Sequence, residues 1–528
     1  LFRSNRLFTQ VEMDSPAEST HDLSHDHKTS FDMGELIPYL CLEALPGDYW
    51  SIKSEALTRF APIIFPIFHK INVYMELFYI PNRLLWLGWD DFIWNNDDSL
   101  VPPYFDNWNG LQAGTQGDYL GLPLNTTDTT LRCSALPFAA QKKVWFDWYR
   151  DQNLQPDTIP LYDFVECIDG DNTATTLFLD VISPPRRRAW NHDYLTSSLP
   201  FAQKGTAALI PLTENQRIEV ELNPDLSPTL NAQSFRDLAG VIQGGTGDLT
   251  VNAGKLDMAG VGNVVLAPDS NWIVDVNAAA QTITNLRNAF KVQEWLEKNA
   301  RAGTRNVEGL MAHFGVKSPD ARLQRSEYIG GTQGTVQISE VISNAGTSNE
   351  GDLWTPLGDY AGHAKHASIG ERFNYFTIEH GWIMGFISIR PETAYQQGLH
   401  RMWSREDVYD YYWSTFQDIG EQPILNKEVY AYGASLDDTF GYIPRYSEYK
   451  FANNRVSGEL RTTVEFMHLG RVFGGVPQLN PTFIECVPSK RIFAVYDTEP
   501  TAVDTVYAHI YSDIQVRRKM KYFGNPSF

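Results

Sequence analysis

The sequence predicts a mainly β fold, arranged as a sandwich or jelly roll with large interstrand loops that hold short helices. Three observations lead there. Aromatic residues make up 13% of the 528 residues, with 14 Trp, 25 Tyr and 29 Phe, which favours strands and broad contact surfaces over helical bundles. Several runs alternate apolar residues with period two, and they lie far apart in the chain, so strand pairing must be long-range. The strand–helix alternation that a parallel sheet requires is missing.

The elements follow in order. Residues 11 to 35 carry seven acids against one base, Lys28, with few large apolar side chains, and read as an extended arm on a surface or a partner. Ile71 to Ile80 places Val73, Met75, Leu77 and Tyr79 on one face of a strand buried on both sides, and Pro81 ends it. One helix is clear, from Ile283 to Arg301. Ala289, Val292, Leu296 and Ala300 form its stripe, Leu286 and Phe290 widen it, Glu297 and Arg301 are spaced to pair, and Gly303 stops it. Residues 373 to 390 read as a long strand or hairpin, with Ile383, Gly385, Ile387 and Ile389 opposed to Trp382, Met384, Phe386 and Ser388. Residues 460 to 468 and 503 to 511 read as further strands.

Residues 214 to 280 break the composition. They hold two aromatics, Phe235 and Trp272, seven glycines, and nine acids against three bases. Such a stretch adds little to an aromatic core, so it reads as a surface insertion, where recognition loops sit. The expected organisation is an N-terminal arm (1–48), a first core part (49–213), the insertion (214–280), a second core part (281–514) and a basic tail (515–528).

Charge and motifs exclude several functions. With 43 Lys and Arg against 64 Asp and Glu, the net charge is −21, so any nucleic-acid contact must be a local basic patch. Cys41, Cys133, Cys167 and Cys486 form no CxxC pair, and they read as buried free thiols. No apolar run reaches 18 residues, and no secretory signal opens the chain, which begins at Leu1 with its true N-terminus left open. No phosphate loop, dinucleotide fingerprint, HExxH or GxSxG occurs.

The remaining polar clusters favour bland readings. His21, Asp22, His25, Asp26 and His27 have metal-binding side chains but read as a polar arm. His192 and Asp193 near Ser197 and Ser198 are sequence neighbours without implied triad geometry. His363 and His366 read as loop histidines. Glu379 and the pair Asp437–Asp438 are the carboxylates a glycosidase would use, with surface solvation the default. No catalytic residue, metal or cofactor is assigned.

Two basic runs stand out. Arg186, Arg187 and Arg188 follow Pro184–Pro185. Arg517, Arg518, Lys519 and Lys521 lie beside Tyr522 and Phe523, with no acid from Gln515 to Phe528. Cations interleaved with rings suit single-stranded nucleic acid, and the C-terminal run is the stronger candidate.

Long blocks span nearly the whole chain. They include SHDHKTSFDMGELIPYLCLEALPGD (24–48), INVYMELFYIPNRLLW (71–86), DYLTSSLPFAQKG (193–205), RAGTRNVEGLMAHFGVKSPDARLQRSEYIGG (301–331), EHGWIMGFISIRPETAYQQGLHRMWSR (379–405), IGEQPI (419–424) and FGYIPRYSEYKF (440–451). Together they resemble the major capsid protein of the Microviridae, nearest the gokushovirus branch. The sequence departs from that pattern at Asp193–Tyr194–Leu195 and Arg325–Ser326–Glu327, and its C-terminus matches loosely. The resemblance implies an eight-stranded antiparallel viral jelly roll. It implies sixty copies in a T=1 icosahedral shell around circular single-stranded DNA. It implies a threefold protrusion in the 214–280 slot that meets a host receptor, with no residue of that site assigned. Implied partners are further copies of the chain, the DNA genome, a minor pilot protein, a scaffolding protein and a small DNA-binding protein, within a virion assembled in the host bacterial cytoplasm. The basic C-terminal residues are then expected to face the lumen. The alternative from another class is an aromatic-rich β protein that binds or hydrolyses polysaccharide; a third is a minor spike or tail protein.

Overall fold

A computed structural model describes residues 17–106, 108, 111–124, 131–155, 167–173, 175–206, 283–303, 305–343, 360–494 and 503–523, with strand backbone between 220 and 274. The chain divides into two compact units, one of residues 1–204 and 297–528 and the other of residues 205–296.

The first unit is organised by two antiparallel sheets. Strands β1 (Ser19–Asp22) and β2 (His25–Phe31) pair in turn along β10 (Val506–Arg518), which pairs with β4 (Tyr49–Phe60). Beyond β4 lie β8 (Tyr360–Phe376) and its hairpin partner β7 (Gln337–Ile342). The second sheet runs β6 (Glu327–Thr335), β5 (Ile71–Pro81), β9 (Gly381–Pro391), β3 (Ile37–Ala44). With the split first strand and the β7–β8 hairpin each counted once, the chain crosses from one sheet to the other at every step except β5 to β6, which pair as neighbours, as in a jelly roll. The sheets hold ten strands against the expected eight, because the first is split at Leu23–Ser24 and β7 adds an edge.

The core lies between the sheets. Trp50, Ile52, Ile510 and Ile514 from the first sheet meet Val73, Met75, Leu77, Ile383 and Ile387 from the second. Each such fully buried side chain contributes about 1.5–3 kcal/mol of transfer free energy. The expected faces of β5 and β9 hold. Their alternate residues Phe78, Ile80, Met384 and Phe386 enter a second core. There they pack under Trp86, Phe105 and Trp108, helix α1 (Leu136–Val144) and helix α2 (Thr176–Ile182). The second sheet is therefore covered on both faces. A third cluster, with Tyr194, Tyr395, Ile424, Phe440 and Phe483, binds the loops after β9.

Three differences from the sequence reading have physical causes. Residues 460–468 form no strand but two 3₁₀ turns, Gly458–Arg461 and Glu465–Met467, because Arg491 gathers the carbonyls of Glu465, His468 and Gly470. The last strand runs on to Arg518, so the first four residues of the expected tail lie in a sheet. Most of the described part of the N-terminal arm, residues 19–44, is also strand: its polar segments lie extended along β10, and residues 37–44 join the second sheet beside β9 rather than standing outside the core.

Helix α3 (Ile283–Ala302) forms where its periodicity places it, with Leu286, Phe290, Val292 and Trp295 exposed and Ala300 buried. Arg301 pairs with Glu421. Helix α4 (Asn306–Phe314) ends at Gly315 in the left-handed region. In the second unit, Val220–Leu222 pairs with Trp272–Val274. Four further short strands, Phe235–Asp237, Leu249–Asn252, Lys255–Met258 and Gly262–Leu266, make an antiparallel sheet.

Candidate nucleic-acid interface

The C-terminal cations are not equivalent. Arg518 Nε donates to Asp48 Oδ2 at 2.9 Å and its Nη2 to the Glu43 carbonyl at 2.7 Å, over the Trp50 ring. Asp48 is almost wholly buried, so Arg518 is an anchor for the β3–β4 turn. Arg517 lies exposed over the Tyr49 ring, 3.5 Å from the exposed Glu18 carboxylate. Lys519 and Lys521 are exposed, and neither is in an ion pair among the described residues. Tyr522 stacks on His21 with planes 5° apart, and Phe523 meets Tyr522 edge-on at 4.9 Å. Both rings stay open, with Phe523 80% exposed. The surface available to an anion is thus Arg517, Lys519 and Lys521, with Tyr522 and Phe523 as stacking faces.

The arginine triplet is spent inside the fold. Arg186 pairs with Asp180 at 2.6 Å over the Trp145 ring, Arg187 with Glu35 at 3.2 Å, and Arg188 with Glu76 at 2.9 Å. Two consecutive prolines fix the preceding backbone, so the three side chains fan toward three different carboxylates. Burial pushes the Glu35 carboxyl up to about 7, against the pull of Arg187.

The catalytic and metal candidates do not assemble. Asp193 caps its own turn, accepting from the N–H groups of Leu195 and Thr196, and takes the Tyr395 hydroxyl at 2.7 Å, while Ser198 donates to the Leu195 carbonyl. His363 and His366 lie three apart on a strand, so they face opposite sides; His366 is buried against Gly334, where a Cβ would lie 2.1 Å from its ring. They are strand residues, not the loop histidines expected. Burial lowers the His366 pKa. Glu379 pairs with Arg83 at 2.6 Å and Asp437 with Lys427 at 2.7 Å. His21 stacks on Tyr522, and Asp26 sits 3.2 Å from His509. Among the described residues no three metal-binding side chains gather, and no helix is long and apolar enough to cross a membrane. All four cysteines are free, and burial pushes the Cys41 and Cys486 thiols up to about 12.

Sequence reasoning missed a bare surface. Among the described residues of the first unit, the outer face of the first sheet carries no covering layer like that on the second. It exposes Arg59 on β4, Tyr507 and His509 on β10, and Lys365 on β8. These positions are up to 450 residues apart by number, so no local motif could flag them.

Comparison with known proteins agrees with this frame. The family model described as capsid protein (F protein) matches residues 9–528. The chain is 32% identical to capsid protein VP1 of Chlamydia phage 1, over 93% of each chain. It is 33% identical to capsid protein VP1 of Bdellovibrio phage phiMH2K, over 98% of this chain and 97% of that one. It is 30% identical to capsid protein VP1 of Spiroplasma virus 4, over 87% and 86%. The two-sheet antiparallel frame and a family match over residues 9–528 lead to one assignment: the chain belongs to the capsid protein (F protein) family of the Microviridae, on its gokushovirus side, and is, like these relatives, a structural protein of the virion rather than an enzyme.

Proposed function

We propose that sixty copies of this chain close a T=1 icosahedral shell around a circular single-stranded DNA genome. The observation that carries this reading is an exposed aromatic face between β9 and Tyr449. Trp403, Tyr409, Tyr411, Tyr412, Trp413 and Tyr449 are each 50–70% exposed. Local contacts hold the Tyr409–Tyr449 part of this face together: the Trp413 indole donates to the Val408 carbonyl, the Tyr412 N–H to the Tyr449 hydroxyl, and Tyr409 packs on Phe416. At roughly 150–250 Å² per aromatic side chain, half exposure of six leaves on the order of 600 Å². One partner in a stable interface contributes about 800 Å². A monomer gains nothing from holding that area in water, whereas a closed shell covers it with a neighbour.

The acidic exterior keeps particles apart, and the basic residues Arg517, Lys519 and Lys521 turn toward the genome. Residues 214–280 are proposed as the threefold protrusion that meets the host. A pilot protein, a scaffolding protein and a small DNA-binding protein complete the set of proposed partners, with assembly in the host cytoplasm. Cryo-electron microscopy of native particles tests this. Closed sixty-subunit shells with threefold knobs formed by 214–280 are the expected result; small rings or monomers under all conditions overturn it. Deleting 214–280 should leave shells that assemble but adsorb poorly, and normal adsorption rules out the attachment role.

A further inference from the structure

We propose that the outer face of the first sheet, uncovered among the described residues of the first unit, is a binding platform for single-stranded nucleic acid, centred on the cross-strand row Tyr507–Arg59–Lys365. The register places Arg59 directly between the other two: Tyr507 opposes it from β10 and Lys365 from β8. Two cations directly opposite on neighbouring strands repel one another. All three residues are exposed, and neither Arg59 nor Lys365 is in an ion pair among the described residues. Among the described residues this like-charge pair therefore has no carboxylate partner, within a chain of net charge −21. A polyanion lying across the strands compensates it.

The neighbouring geometry sets the kind of polyanion. Beside the row runs a shallow open groove of about 550 Å³, lined by Lys28, Thr29, Ser30, Leu57, Arg59, Tyr507, Ala508 and His509, with no carboxylate in its wall. The Tyr507 ring offers a face for a base, and Leu57 an apolar floor. Two acids stand at the rim of this groove, each against residues that line it. Asp26 lies 3.2 Å from His509 and 3.9 Å from Lys28, and Asp504 accepts from Ser30. Further along the face, Glu55 pairs with Lys53, and Asp513 with Arg372. A ring flanked by cations on a flat, solvent-open sheet suits an unpaired strand, whose bases can turn onto the protein while phosphates meet Arg59 and Lys365. A duplex keeps its bases stacked inside and gains nothing from Tyr507.

This deepens the shell reading by naming where the protein grips its genome, yet its test does not depend on shell closure. The full chain is titrated with fluorescent dT20 and with a 20-base-pair duplex at several salt concentrations, and particle formation is followed separately. The double variant R59S/K365S should lose about tenfold in dT20 affinity at low salt and reduce the slope of log affinity against log salt by about 1.4. Tyr507→Ser should lose about fivefold or more for dT20 and leave the duplex unchanged. All three side chains are exposed, so the melting temperature should hold, and the K519S/K521S variant reports the C-terminal surface independently. Unchanged affinity and slope in R59S/K365S overturn the proposal, as does a wild-type chain that ignores dT20. Equal loss for duplex and dT20 overturns the single-strand assignment. Shells that form normally from these variants leave the assembly reading standing whichever way binding falls.

Discussion

Arg188 grips both carboxylate oxygens of Glu76, at 2.9 and 3.1 Å, and binds β5 to the loop that carries the arginine triplet. The guanidinium also reaches the Ser388 hydroxyl on β9 and lies over the Tyr74 and Tyr149 rings. Both side chains are largely buried, so removing one leaves the other as an uncompensated charge. Arg188→Ala should lower the free energy of unfolding by about 3 kcal/mol. Arg188→Lys should recover less than half, since an ammonium cannot make the fork. Urea titration measures this. Unchanged stability with weakened DNA binding would return the triplet to the genome-facing surface.

The same logic splits the C-terminal run. Arg518→Ser strands the buried Asp48 carboxylate and should cost about 3 kcal/mol of stability. The K519S/K521S variant, changing two exposed residues, should shift stability by less than about 0.5 kcal/mol while lowering the DNA retained per particle. Thermal melts and the absorbance ratio of purified particles separate the two. Replacing all four cations at once would confound folding with genome binding. Full DNA content in K519S/K521S particles would defeat the lumenal role.

Glu35 makes stability depend on pH in an unusual direction. Burial raises its folded pKa to about 7, from an ordinary value of 4.5. Between those values the folded chain keeps a proton that the unfolded chain releases. The folded state therefore binds more protons, and stability falls as pH rises through this window and stays lower above it. The contribution at stake is up to about 3 kcal/mol. Glu35→Gln should flatten this part of the profile. Urea unfolding at pH 5 and pH 8 checks it, and parallel profiles for both proteins would clear Glu35.

Gly34 sits at φ +90°, and a Cβ there would lie 1.9 Å from the Cys486 carbonyl oxygen. Backbone and not a flexible side chain stands in the way. Its N–H donates to the Ile389 carbonyl and its carbonyl accepts from Arg188, so the segment cannot move aside. Gly34→Ala should cost at least about 2 kcal/mol through strain and clash together. A melting temperature within a degree of wild type would show that the turn can rearrange.

The sequence by itself determined the β class, the two faces of β5 and β9, helix α3 and the composition break at 214–280. Each of these is a local pattern: period two or 3.6 in the apolar residues, or the loss of aromatics over a window. Ile383 and Ile387 are legible as one face because neighbours in the chain are neighbours on the strand. The tertiary structure alone decided what the charged residues do. Arg186, Arg187 and Arg188 look like a basic patch in sequence, but Asp180, Glu35 and Glu76 neutralise them from elsewhere in the fold. The alternation of Leu460 to His468 copies a strand, yet carbonyls gathered by Arg491 turn it into 3₁₀ structure. Tyr507, Arg59 and Lys365 have no sequence proximity and meet only through the register of three strands. Electrostatic partners are set by distance in space, which long-range sheet pairing decouples from distance along the chain.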